Sequence, residues 1–255
     1  MRFTFLGTGT SNGVPVLGCD CEVCRSADPH DRRWRSAGLL ETDRTRILID
    51  CGPDIRMQLM PQPFRKIDAV LLTHHHYDHV GGIDDLRPYC KLGDVDIYGN
   101  EQTVRNVKHN FPYCFAEHLY PGVPKLQMHV IRPDDRLTIG DVEVQTLEVM
   151  HDKMPILAYR FGSLAYITDM KTIHDDQLPY LAGVETLIVN ALRWEKPHHS
   201  HMLIPDAIAF SRRIGAKTTY LTHLTHKAGL HREARQRLPE GFFFAYDGLQ
   251  IEVEK

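Results

Sequence analysis

Long apolar runs are missing from this 255-residue chain. No stretch approaches the ~18 apolar residues that read as a membrane span. The opening, Met1-Arg2-Phe3-Thr4-Phe5-Leu6-Gly7, meets glycine before a signal-peptide core could form. A soluble, cytoplasmic protein is therefore expected. A strong charge of either sign is also missing: 30 Lys and Arg stand against 33 Asp and Glu, for a formal net charge of -3. That balance argues against a general nucleic-acid binder, which needs a basic face for phosphates, but it leaves room for a local basic pocket. There are only six cysteines, and a disulfide scaffold would need secretion and a smaller chain, so reduced thiols are expected. Repeats, linkers and low-complexity segments are absent. With a hydrophobic fraction of 42%, ordinary for a globular protein, residues 1–255 read as one domain with a buried core.

Short apolar runs rich in β-branched and aromatic residues recur along the chain. Strands are predicted over Phe3–Leu6, Arg46–Ile49, Ala69–Leu72, Val95–Tyr98, Val142–Val149, Leu164–Ile167, Leu187–Val189 and Thr219–Leu221. The runs Phe242–Tyr246 and Leu249–Val253 flank Asp247-Gly248 and read as a hairpin. Helices are predicted over Asp84–Leu92, over Glu101–Asn110 behind the N-cap Asn100, and over Asp206–Ile214 before Gly215. The pattern is mixed α/β.

His74, His151, Asp169 and His223 each stand at the end of a predicted strand or just past it. Strand ends can converge at one sheet edge, where open α/β folds place ligands. In the run Leu71-Leu72-Thr73-His74-His75-His76-Tyr77-Asp78-His79, residues two apart face the same way on extended backbone. His74 and His76 can thus grip one ion while His75 points elsewhere, and a turn brings Asp78 and His79 toward a second. Imidazole and carboxylate donors suit zinc, manganese or iron. Isolated histidines such as His30, His109 and His129 are ordinary surface or core residues. The ordered HxHxDH run is not.

This run, followed in order by His151, Asp169 and His223, resembles the ligand set of the metallo-β-lactamase superfamily over nearly the whole chain. The resemblance implies an αββα sandwich with two divalent metal ions, manganese or zinc, at the edge between stacked sheets. It implies His74, His76 and His151 on the first ion, Asp78, His79 and His223 on the second, and Asp169 bridging. Two such cations would lower the pKa of a shared water from ~15.7 toward ~7 and so furnish hydroxide. Asp50, after the strand Arg46–Ile49, resembles a buried acid that orients a ligand histidine.

A second cluster, Cys19-Asp20-Cys21-Glu22-Val23-Cys24, offers three thiolates, and a closed tetrahedral zinc site needs a fourth ligand. The run Thr222-His223-Leu224-Thr225-His226 can supply His226. The opening Gly7-Thr8-Gly9-Thr10-Ser11-Asn12-Gly13-Val14-Pro15, the CxCxxC motif and the THxxH motif together resemble the PhnP phosphodiesterases. Members of that family open a cyclic phosphate on ribose and carry a structural Cys₃His zinc beside the dimetal site. The resemblance implies that Asp78 and a histidine upstream of the last ligand are catalytic. The matching position is His201, with His198 and His199 as rivals, and its role is to protonate the leaving oxygen. The segment 190–197 departs from the family pattern, with Asn190 where a carboxylate is expected.

Two weaker features have two readings each. Gly9 to Gly13 form either a backbone phosphate cradle or a plain strand-to-loop turn. Arg32-Arg33-Trp34-Arg35 is either a solvated face or an anion-attracting one. The expected activity is hydrolysis of a small cyclic phosphodiester, such as a phosphoribosyl cyclic phosphate or cyclic nucleotide, by a dimetal-activated hydroxide. A tRNA 3′-processing nuclease, a PqqB-like protein, a lactonase or thioesterase, and a nucleotide-binding sensor are the alternatives. A small phosphodiester is the expected partner, with no membrane and no strong nucleic-acid signal, and a homodimer is compatible with the sequence.

Overall fold

The strand-forming runs assemble into two seven-stranded sheets in the computed structural model, which describes residues 1–116 and 122–254. In chain order the strands are β1 (Arg2–Gly7), β2 (Ala37–Glu41), β3 (Arg46–Ile49), β4 (Ala69–Leu71), β5 (Val95–Gly99), β6 (Leu126–Val130) and β7 (Arg136–Ile139). They continue with β8 (Val142–His151), β9 (Met154–Phe161), β10 (Leu164–Ile167), β11 (Thr186–Asn190), β12 (Thr218–Thr222), β13 (Phe242–Phe244) and β14 (Gln250–Glu252). The first sheet runs β14-β1-β2-β3-β4-β5-β6 and the second β13-β12-β11-β10-β9-β8-β7.

Alternation along each strand builds the layers. Ile47 and Ile49 point between the sheets and meet Tyr159, Phe161, Leu164 and Tyr166, whereas Leu48 points outward. In the second sheet Leu164 and Tyr166 face inward while Ala165 and Ile167 pack outward with Ile204, Ala207 and Phe210. Each large apolar side chain fully buried in this way contributes about 1.5–3 kcal/mol. Helices α1 (Glu22–Arg25), α2 (Ile55–Leu59), α3 (Tyr77–Val80), α4 (Glu101–Asn110), α5 (Ile204–Ile214) and α6 (His231–Arg237) complete the chain. Ile55, Leu59 and Val80 from α2 and α3 cover the outer face of the first sheet, and α5 covers the second. The architecture is the expected αββα sandwich.

Capping signals were legible. Asn100 accepts from the Thr103 amide at 2.8 Å, and α5 stops at Gly215, whose φ of 76° suits glycine. The helix expected over Asp84–Leu92 is present as a 3-10 helix, Ile83–Leu92; Pro88 within it lacks an N–H and would clash with the preceding turn of an α-helix. One expectation is corrected. The Asp247-Gly248 turn does not close a hairpin, because β13 pairs with β12 in one sheet and β14 with β1 in the other. The turn is a crossover: Asp247 accepts from Thr8 Oγ1 at 2.7 Å, and the Gly248 amide donates to Phe5 O at 2.7 Å.

No helix among the described residues is long and apolar enough to cross a membrane.

Candidate metal centre

Five strands end at the same edge and deliver the polar side chains. Asp50 follows β3, Thr73 and His74 follow β4, His151 closes β8, Asp169 follows β10 and His223 follows β12. Asp50, Asp169 and His223 hold left-handed backbone, at φ 61°, 57° and 54°. Such conformations cost non-glycine residues about 1–3 kcal/mol each and persist where the surroundings enforce them.

Here the surroundings are hydrogen bonds. Asp50 accepts from the Thr73 amide at 2.9 Å and from Thr73 Oγ1 at 3.0 Å, and its other oxygen lies 2.7 Å from His79 Nδ1. His151 Nδ1 lies 2.7 Å from the Asp169 carbonyl and 3.1 Å from that of Ser200. Each contact fixes one ring nitrogen and turns the other inward, as metal-bound imidazoles require.

The inward atoms form two groups that share an edge. His74, His76 and His151 bring ligand atoms within 4.8 Å of one another, as do Asp78, His79, Asp169 and His223. His74 Nε2 and His76 Nδ1 are 3.0 Å apart, so the two histidines do face one way; His75 is excluded from the cluster. One oxygen of Asp169 faces His79 Nε2 at 3.5 Å and His223 Nε2 at 3.2 Å. The other faces His74 Nε2 and His201 Nδ1, both at 3.9 Å.

The donor set fits divalent cations. Nε2 of His79 and of His223 are buried with no hydrogen-bond partner, although buried polar atoms are normally satisfied. Burial alone would lower the pKa of His79, but Asp169, Asp50 and Asp78 outweigh it and raise it well above the ordinary range. Burial would likewise raise Asp78 and Asp169, yet the surrounding imidazoles hold both well below the carboxylate range. Burial and the neighbouring His79 push His74 well down. This corner prefers positive charge, which metal ions provide.

His201 is buried inside the cluster, grouped with His151 and Asp169. Burial pushes its pKa down to about 3, against the pull of Asp169. Its rivals stand further out: His198 is half-buried and bonded to Ser200, and His199 is exposed. Asn190, the unexpected residue, has both a donor and an acceptor in use. Its Oδ1 takes the Met170 amide at 2.8 Å and its Nδ2 donates to the Met170 carbonyl at 3.0 Å, which anchors the backbone behind Asp169. A carboxylate could not do both.

The fold brings the three clustered cysteines to His226. Sγ of Cys19, Cys21 and Cys24 lie 3.1, 3.4 and 3.3 Å from His226 Nδ1. Three sulfurs and one imidazole nitrogen thus lie together as a group that could hold a metal ion.

Two weaker readings are narrowed, and Arg32 stays exposed. The amides of Gly9, Thr10 and Gly13 already donate to Trp34, Leu224 and Thr10 carbonyls, so these three are not free to cradle a phosphate. Arg33 belongs to no solvated face: it is buried, with Nη1 on Thr8 Oγ1 at 2.8 Å. Thr73 and the Ser200 carbonyl escaped sequence reasoning. Thr73 carried a signal, since it immediately precedes the histidine run, whereas a backbone carbonyl carries none.

Residues 45–224 match the family model of the beta-lactamase superfamily domain. A solved structure described as a new diphosphatase from the PhnP family is 39% identical, with a TM-score of 0.91 over 99% of this chain and 98% of that one. An octanoyltransferase of Porphyromonas gingivalis is 42% identical over 100% of this chain but only 52% of its own length. A ribonuclease Z of Methanopyrus kandleri is 33% identical over 90% of this chain and 95% of its own. The chain spans about half the length of the first curated relatives it matches.

Proposed function

The chain belongs to the metallo-β-lactamase superfamily as a metal-dependent hydrolase closely related to the PhnP family, and from that premise we propose that it hydrolyses small phosphodiesters, cyclic phosphates foremost. The observation that carries this reading is the placement of Asp169. One carboxylate oxygen faces the His79–His223 pair while the other faces His74 and His201. A single carboxylate thereby links two ligand groups and a buried histidine.

Two divalent cations, manganese or zinc, would be held by His74, His76 and His151 and by Asp78, His79 and His223 with Asp169 between; they would supply an activated water and Lewis acidity toward phosphoryl oxygens. His201 stands at the edge of this set. Burial keeps the ring neutral in the resting site, so it would take up the proton lost by the attacking water and pass it to the departing alkoxide. Asp50 and the Asp169 and Ser200 carbonyls hold His79 and His151 in one orientation, so little rearrangement is needed when charge shifts. Cys19, Cys21, Cys24 and His226 would carry a structural zinc that ties residues 16–25 to the turn at His226–Ala228.

A diphosphate linkage is a second reading, favoured by the relative described as a diphosphatase at 39% identity. The same test addresses both. Adenosine 2′,3′-cyclic phosphate, bis-p-nitrophenyl phosphate, a dinucleoside diphosphate, a lactone and a thioester are offered with added manganese or zinc. Turnover of the phosphodiesters is expected. Hydrolysis confined to the diphosphate would establish the second reading, and hydrolysis confined to the acyl substrates would end both.

A further inference from the structure

Basic side chains gather where the loop that follows β11 meets the turn after His226. A cavity of about 250 Å³ is lined by Arg193, Trp194, Glu195, Lys196, Lys227 and Arg237, so four cations share it with a single carboxylate. The chain as a whole carries a net charge of -3, so this concentration is not general basicity. Among the described residues, Arg193, Lys196, Lys227 and Arg237 make no ion pair with a carboxylate.

The cavity is built rather than incidental. Its tip is folded by Arg193, whose Nε donates to the Glu195 and Lys196 carbonyls at 3.0 Å each, with Lys196 in left-handed backbone at φ 63°. Trp194 Nε1 donates to the Ala228 carbonyl at 3.0 Å, and the Arg237 guanidinium lies 4.1 Å over the indole ring. Lys227 follows His226, so the cysteine–histidine cluster holds the turn that presents it.

The loop is also anchored to the metal centre at both ends. It leaves β11 at Asn190 and returns at His201. Ala191 N bonds Thr222 O at 2.9 Å, Leu192 N bonds Met202 O at 3.0 Å and Ile204 N bonds Arg193 O at 2.9 Å. His198, on the same loop, packs its ring against that of His201, with centroids 5.0 Å apart. This is the segment that departs from the family pattern at the sequence level.

We propose that this cavity is a diphosphate-binding subsite of the metal centre, formed by Arg193, Lys196, Lys227 and Arg237. Unpaired guanidinium and ammonium groups around a small cavity match a compact anion of several charges, and arginine can grip two of its oxygens at once. A lone carboxylate would leave most of the charge unanswered. The subsite selects substrates that carry a diphosphate away from the bond being cleaved. Its place in catalysis rests on the phosphodiester reading; its binding of diphosphate does not.

The test uses the metal-loaded protein. Trp194 fluorescence in a Trp34→Phe background is followed as adenosine 5′-diphosphate is added, with adenosine as control. A saturable, salt-sensitive response to the diphosphate alone is expected, and Lys196→Gln/Lys227→Gln should weaken it at least about tenfold at unchanged zinc content. In kinetics, a 5′-diphosphate on adenosine 2′,3′-cyclic phosphate should lower KM about tenfold, an advantage lost in the double variant. Turnover of bis-p-nitrophenyl phosphate should be the same in both proteins. Equal diphosphate binding by parent and double variant overturns the subsite whatever the turnover. A normal fluorescence response in a protein that hydrolyses none of the diesters instead overturns the phosphodiester reading and leaves the subsite standing.

Discussion

At the scale of single residues, the site separates groups that face the centre from groups that aim them. Asp50 is fully buried and reaches the centre only through His79 and Thr73. Asp50→Asn keeps the shape and removes the charge that orients His79. A fall of about 10–100-fold in metal affinity or activity is expected, measured by metal titration of the purified variant; wild-type affinity would mean that His79 is aimed by something else. His201 is a different case, since it faces the cluster directly at 3.9 Å from Asp169. If it protonates the leaving oxygen, its loss matters only when that oxygen needs a proton. His201→Ala should slow hydrolysis of a cyclic ribose phosphate by about 10²–10⁴-fold and leave the nitrophenyl ester, which departs as a stable anion, far less affected. Equal losses on both substrates would point to a ligand or packing role.

At the scale of elements, the short helix α3 owes its position to close backbone approach. A Cβ on Gly52 would stand 2.0 Å from the Asp78 carbonyl, and one on Gly82 would stand 2.1 Å from the Gly52 carbonyl. The Cys51 amide donates to His79 O at 2.7 Å across the same gap. Gly52→Ala must therefore push Asp78 and His79 away from the other ligands. Destabilisation of about 1–3 kcal/mol is expected from the overpacking, read by urea denaturation, together with loss of bound metal. A variant as stable and as metal-rich as the parent would show that α3 can shift freely. This dependence was not legible in the sequence, where Gly52 looks like any loop glycine. What was legible are the elements with local signatures: β3 and β10 fall where their apolar runs begin and end, and α4 starts at its asparagine cap. The strands β2, β6, β7 and β9 were missed. Gly38 in β2 and Pro155 in β9 depress strand propensity, and these strands form because neighbours supply their hydrogen bonds.

At the scale of the molecule, the ligand set was readable because its chemistry lies in residue type and order, whereas the crossover at Asp247 was not, because a turn signal does not say which sheet receives the next strand. The surroundings of that crossover set an acid sensitivity. His231 packs against His30 and Tyr246 beneath it, and burial, with Arg33 and His30 adding to it, pushes its pKa down to about 4. The unfolded chain would take up this proton near pH 6.5, the folded protein only near 4. Stability from this group is thus complete above pH 6.5 and is lost as pH falls toward 4. His231→Gln should narrow the difference in urea midpoint between pH 7.5 and pH 5, and an unchanged difference would assign the sensitivity to other groups. The crossover also sends β14 back against β1, with Phe3 opposite Ile251 and the terminal amine 2.7 Å from the Val253 carbonyl. Residues of β1 wait for residues made about 250 positions later before their hydrogen bonds are complete. During synthesis the first sheet consequently keeps an open edge until the crossover has left the ribosome, so closure of that edge is a late, long-range event, and the interval before it is when a chaperone or a stray strand has access.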